Sequence, residues 1–253
     1  MSVLVEICVG DLESALAAAQ GRADRIELCA DLAGGGTTPS HGTVALATEL
    51  ITVPIFVLIR PRAGDFVPSR HEFAAMLHDV VFAKVQGASG VVIGVLHADR
   101  TIDRARVSEL IAVARPLEVT FHRAFDSTIN RIAALEVLIA LGVDRVLTSG
   151  GGAMAMEGLG LLSRTVAHAG GRIGILAGGG VSEANVATII ERTGVREIHA
   201  GSSVARPWPG AISPAVPTPV MPWDQPITRT DATLVEQLVR VARLSRSKIV
   251  GPL

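Results

Sequence analysis

The chain has 253 residues, a length that suits one (β/α)8 barrel, and 49% of them are hydrophobic. A formal net charge of −1 supplies no global field for nucleic acid or an anionic membrane, and aromatics at 3% are too few for a base-stacking platform. Cys8 and Cys29 are the only cysteines, which excludes a disulfide framework. Residues Met1–Gly10 lack a basic and then apolar leader pattern, and no 18-residue stretch reads as a membrane span. The expected setting is therefore the cytoplasm.

Short branched-aliphatic runs alternate with stretches of helical periodicity. In chain order the expected strands are Val3–Cys8, Arg25–Cys29, Ile55–Arg60, Gly90–Leu96, Leu117–His122, Arg145–Thr148, Ile173–Ala177 and Glu197–Ala200. The helices between them are expected near Leu12–Gln20, Gly42–Leu50, Glu72–Gln86, Arg104–Ala114, Ile132–Leu141, Glu157–Ala169 and Glu183–Thr193. A recurring junction ends a helix at Gly21, Gly87, Gly142 or Gly194 and starts a strand two or three residues later. Each Gly is expected as the left-handed C′ residue. Such alternation fits either a closed barrel or a doubly wound sheet. The barrel is preferred, because no G-x-G-x-x-G follows the first strand and eight units use the length.

The tail differs. Seven of the thirteen prolines, with Trp208 and Trp223, fall between Pro207 and Pro226. A Pro-rich connection over 207–228 is expected, then an eighth helix at about 230–246 capped by Thr230 or Asp231. All 253 residues are read as one TIM-barrel domain. The Trp-bearing segment is a candidate surface for a partner or a second copy of the chain.

Barrel chemistry gathers at the carboxyl ends of the strands. The first two strands end alike, in Glu6-Ile7-Cys8 and Glu27-Leu28-Cys29, and alternation puts each Glu and Cys on one face. Arg60 and Arg62 follow the third strand; His122, Arg123 and Asp126 follow the fifth. Buried carboxylates need partners, and Glu6 and Glu27 are expected to pair with Arg60, Arg62, His122 and Arg123. Such a network either only seals the mouth or orients and protonates a substrate. Gly178, Gly179 and Gly180 follow the seventh strand, and Gly201 and Ser202 the eighth. They are either tight turns or a phosphate or anion cradle. Cys8 and Cys29 are either small buried apolar residues or soft ligands for a metal such as Cu(I).

Taken together, the strings Glu6-Ile7-Cys8-Val9, Ala23–Cys29, Gly35–Ser40, Ile59–Arg62, Val119–Asp126, Arg145–Gly150, Gly178–Gly180 and His199 resemble the CutC family over about residues 3–206. Ala63, Ala177 and Ile198 depart from that pattern without removing a polar group, while 207–226 matches poorly. The resemblance implies a (β/α)8 barrel, a cytoplasmic place and a role in copper homeostasis, with Cu(I) on Cys8 and Cys29. The alternative function read from the residues is an enzyme acting on a small anionic or phosphorylated metabolite.

Overall fold

Branched aliphatic strands can bury both faces only if helices cover the outside and side chains fill the inside. A computed structural model, describing residues 3–208 and 227–249, shows that solution. The strands are β1 (Leu4–Val9), β2 (Arg25–Leu28), β3 (Ile55–Leu58), β4 (Gly90–Ile93), β5 (Glu118–Phe121), β6 (Arg145–Thr148), β7 (Gly174–Ala177) and β8 (Glu197–Ala200). All pair in parallel, in sequence order, and β8 closes on β1. The outer ring is α1 (Leu12–Gln20), α2 (His41–Leu50), α3 (Arg70–Val85), α4 (Arg104–Ala114), α5 (Arg131–Ala140), α6 (Leu159–Ala169), α7 (Val186–Thr193) and α8 (Ala232–Ile249).

The helix starts are written locally. Asp11, Ser40, Ser69, Asp103 and Asn130 each accept the backbone N–H three residues on, opening α1 to α5. Ser69 and Glu72 complete a capping box. Asp231 caps α8 through the N–H groups of Thr233 and Leu234. Val5, Ile7 and Val9 pack outward into the helix layer, which sends Glu6 and Cys8 inward. Phe56, Leu58, Val92 and Cys29 form one apolar cluster of the barrel interior.

Several boundaries move, each for a physical reason. β4 ends at Ile93, not Leu96, because the His122 ring covers Gly94 and Leu96 turns to bridge Ile102. α6 starts at Leu159, since the Glu157 carboxylate turns back to accept the Ala153 N–H. α7 starts at Val186, after Asn185 Oδ1 takes the Ser182 N–H. Gly87, Gly142 and Gly194 have φ of 84°, 74° and 73°, as the junction pattern requires. Gly21 does not: its φ is −74°, and Arg22 takes the left-handed turn at 66°. Glycine stands at 21 for space, because a Cβ there would lie 2.5 Å from Val235 Cβ and 2.6 Å from Ala232 O at the start of α8.

The tail is partly visible. β9 (Ala205–Pro207) pairs antiparallel with β10 (Thr228–Thr230), an isolated ribbon whose edge tolerates proline. The rest of the expected Pro-rich connection, including Trp223, lies outside the described residues. No helix among the described residues is long and apolar enough to cross a membrane.

The packing of α8 on Gly21 is testable. Gly21→Ala should destabilise the fold by about 1–3 kcal/mol through overpacking. Arg22→Gly should be neutral or stabilising, because it relieves a left-handed non-glycine. Urea denaturation of both variants measures this.

Candidate functional site at the barrel mouth

The interior begins with charge. Asp24-Arg25 and Asp144-Arg145 repeat the same junction half a barrel apart. Asp24 accepts the Val5 N–H at 2.9 Å and Asp144 the Val119 N–H at 2.7 Å, each tying a strand to its predecessor. The arginines turn inward and flank Phe56, their Cζ atoms 5.0 and 5.1 Å from its centroid. Arg25 pairs with Glu6 and with Glu197 (2.8 Å); Arg145 pairs with Glu197 (3.0 Å) and Glu118 (2.6 Å). This ionic floor lies beneath the mouth.

Glu6 joins the floor to the mouth. One carboxylate oxygen takes the Arg25 Nε–H, and the other lies 2.7 Å from His199 Nδ1. Burial works against its charge, but Arg25 and His199 outweigh that and hold its pKa at about 2. His199 Nε2 then points toward Glu27, at 3.6 Å, and the acceptor atoms of Cys8, Glu27 and His199 all lie within 4.8 Å of one another. Cys8 Sγ is 3.6 Å from Cys29 Sγ, and both are free thiols.

These groups titrate in opposite senses. The hydrogen bond from Cys29 overcomes burial and, with His199, lowers Cys8 to about 5. Burial and the neighbouring Cys8 charge push Glu27 well up. Burial opposes a charged His199, yet Cys8, Glu6 and Glu27 together raise its pKa well above the ordinary value. Hydrogen bonding to the Cys8 thiolate, then burial, push Cys29 up. The three groups are thus shifted apart, Cys8 toward the thiolate, His199 toward the cation and Glu27 toward the neutral acid.

The other expected residues separate into two groups. Cys8, Glu27, Cys29, Arg60, His122, Arg123, Asp126 and His199 line one cavity of about 370 Å3. It runs into a groove of about 640 Å3 lined by Gly179, Gly180, Gly201 and Ser202. Glu6 is buried beneath, and Gly178 packs against Leu147 and His199. Arg62 is not brought in. It pairs with Asp65 (2.9 Å) and Glu72 (2.7 Å) at the start of α3, half exposed.

The expected partnership of Glu6 and Glu27 with the mouth arginines is therefore corrected. Arg60 donates to the carbonyls of Gly36 (2.7 Å) and Gly64 (2.9 Å). Arg123 is held by Asp126 (2.9 Å) and Ser149 (2.9 Å). Asp126 also takes the Thr148 hydroxyl and the N–H groups of Ser149 and Gly151, tying two loops together. His122 does not meet the carboxylates: its Nδ1 accepts the Ala124 N–H at 3.1 Å. Burial, then Arg60, lower its pKa to about 3, so near neutral pH it is an uncharged ring with its proton on Nε2 rather than an acid–base group. Arg25 and Glu197 had no role in the sequence reading, and His199 was noted without a partner. The signal that finds them is closure, since the β1–β8 and β1–β2 registers set Glu6 beside both His199 and Arg25.

The glycines at the mouth have packing reasons. A Cβ on Gly178 would lie 2.6 Å from Leu147 Cδ1, and one on Gly180 2.6 Å from Met154 Sδ. Gly179 has φ 102°, a conformation open to glycine. Asp11 and Asp31 line the same groove, which weakens it as an anion cradle.

The family model described as CutC family matches residues 3–204. The chain belongs to the CutC family. It is 47% identical over 203 residues to a human protein named copper homeostasis protein cutC homolog, covering 80% of this chain and 74% of that one. It is 49% identical over 209 residues to a family protein CutC of Vibrio vulnificus, covering 82% and 84%. A crystal structure of a CutC from Streptococcus agalactiae superposes with a TM-score of 0.76 at 32% identity, covering 79% of this chain and 98% of that one. Phosphoribosylanthranilate isomerase from Pyrococcus furiosus, at 16% identity and a TM-score of 0.58 over 96% and 99% of the two chains, shares the barrel fold.

Two outcomes follow for this CutC member. Arg25→Met strips Glu6 and Glu197 of a buried partner and should cost about 3–5 kcal/mol, whereas Arg62→Met should leave the denaturation midpoint little changed. The unfolded chain protonates His122 near pH 6.5, but the folded chain holds off until about 3. Between those values the unfolded state binds more protons, so stability falls as pH falls. The stabilisation from Glu6 is present above 4.5 and is lost toward its folded value of about 2. Imidazole NMR should find His122 neutral down to pH 4; a midpoint between 6 and 7 would contradict this.

Proposed function

We propose that this CutC protein binds and handles Cu(I) in the cytoplasm, with Cys8 and Cys29 as the thiolate ligands and His199 adjoining. What carries the reading is the pair of free sulfurs 3.6 Å apart at the inner end of an open cavity. Soft thiolates favour Cu(I) over Mg(II) or Ca(II). At a metal–sulfur distance of about 2.3 Å, two sulfurs so placed subtend roughly 100°, a bent arrangement that leaves room for a third donor. His199 suits that place, because its Nδ1 side is already held by Glu6, the pattern that orients metal-binding imidazoles. Its Nε2 proton, like the Cys29 proton, must leave before an ion binds, so affinity rises with pH. Glu27 is the poorer ligand: its oxygens are hard, and burial, then the Cys8 charge, disfavour its ionised form. The copper here is cargo, and the family names are consistent with that use.

The test is competition with a Cu(I) chelator under anaerobic conditions. The wild type should hold one tight equivalent, and Cys8→Ser/Cys29→Ser should lose it. Glu6→Gln should weaken it about 10–100-fold by freeing His199. Equal affinity in the double serine variant would dismiss the reading.

A second reading is favoured by the closeness of Cys8 and Glu27, whose ligand atoms lie within 4.8 Å of each other in the open cavity and whose titrations are shifted in opposite senses, which suits a base and an acid. In it the thiolate takes a proton from a bound small acid and Glu27 returns one. Solvent deuterium should then enter such an acid with the wild type and fail to enter with Glu27→Gln.

A further inference from the structure

Two mouth side chains are buried yet incompletely satisfied. Arg60 is 8% exposed, and its guanidinium donates only to backbone carbonyls, those of Gly34, Gly36 and Gly64. Its Nε has no partner, and no carboxylate forms an ion pair with it among the described residues; Asp31 is the acidic group whose charge reaches it. His122 is 6% exposed. Because its Nδ1 accepts from Ala124, the ring proton sits on Nε2, and that atom too is buried without a partner. Buried donors are costly when unmet, and a buried cation calls for an anion. Both residues line the cavity of about 370 Å3, and Phe66 lies between them, 5.2 Å from Arg60 Cζ and 5.0 Å from the His122 ring.

We propose that this corner is the oxyanion subsite of a small organic acid, whose carboxylate or phosphate is received by Arg60 and by His122 Nε2–H over the Phe66 ring. The neighbouring charges permit it. Arg123 is already held by Asp126, and no carboxylate among the described residues pairs with Arg60 or His122. The glycine groove is less suited, because Asp11 and Asp31 face it. The volume lies near the lower end of ligand pockets, about 300–1,000 Å3, which fits a metabolite-sized acid better than a nucleotide or peptide. The site shares the cavity with the copper ligands but uses none of them, and it rests on the second reading only for what becomes of the bound acid.

The experiment is calorimetric titration of the full-length, metal-free protein with inorganic phosphate, glycerol 3-phosphate and succinate. At least one probe should bind. Binding of the phosphates alone assigns a phosphoryl ligand, and binding of succinate alone a carboxylate. His122→Asn keeps an acceptor for the Ala124 N–H but removes the Nε2 donor, and should weaken binding about tenfold or more. Arg60→Lys should weaken it as well, and if that variant does not fold, His122→Asn decides. Arg62→Met, which lies outside the cavity, should leave the affinity within about twofold, and because the titration contains no copper and reads binding rather than proton exchange, its outcome is independent of both earlier readings. Failure of all three probes to bind the wild type, or equal affinity in His122→Asn, would overturn the proposal.

Discussion

One carboxylate governs the inside of this barrel. Glu6 is fully enclosed and can stay ionised only because Arg25 meets one oxygen and His199 the other. That double contact couples the ionic floor to the mouth. It fixes the imidazole so that Nε2 faces Glu27, with Cys8 close by, and it helps sustain a cation that lowers the Cys8 pKa. Removing Arg25 would therefore be felt at the thiols, although the ion pairs of Arg25 are with Glu6 and Glu197.

Much of this was legible in the chain. The Gly-Arg-Ala-Asp-Arg junction at 21–25 and the Gly-Val-Asp-Arg junction at 142–145 mark both the end of a helix and the start of an inward-facing arginine. Alternation along Glu6-Ile7-Cys8 and Glu27-Leu28-Cys29 set each carboxylate and thiol on one face, and the outward packing of Ile7 and Leu28 makes that face the interior. Partner choice was not legible. Arg62 sits two residues from Arg60, yet an exposed pairing with Glu72 and Asp65 draws it outward. His122 looked like an acid–base group, but its ring caps the turn that follows β5 and is too deeply buried to charge. Gly21 shows the same limit at the fold level, because the reason for glycine there is a helix more than two hundred residues away.

The mouth has two chemically distinct walls. On the β1–β2–β8 side stand the soft, titrating groups: the two thiols, Glu27 and His199. On the β3–β5 side stand Arg60, His122 and Phe66, hard donors around an aromatic surface. A metal carrier needs only the first wall. The second, with its unmet donors, is what a site for an organic acid requires, and both open into one cavity.

X-ray absorption at the copper edge of the Cu(I)-loaded protein tests the central claim most directly. Two sulfur scatterers with one imidazole nitrogen, and loss of the sulfur shell in Cys8→Ser/Cys29→Ser, are the predicted result. A first shell of nitrogen and oxygen alone, or sulfur that persists in the double variant, would contradict the account.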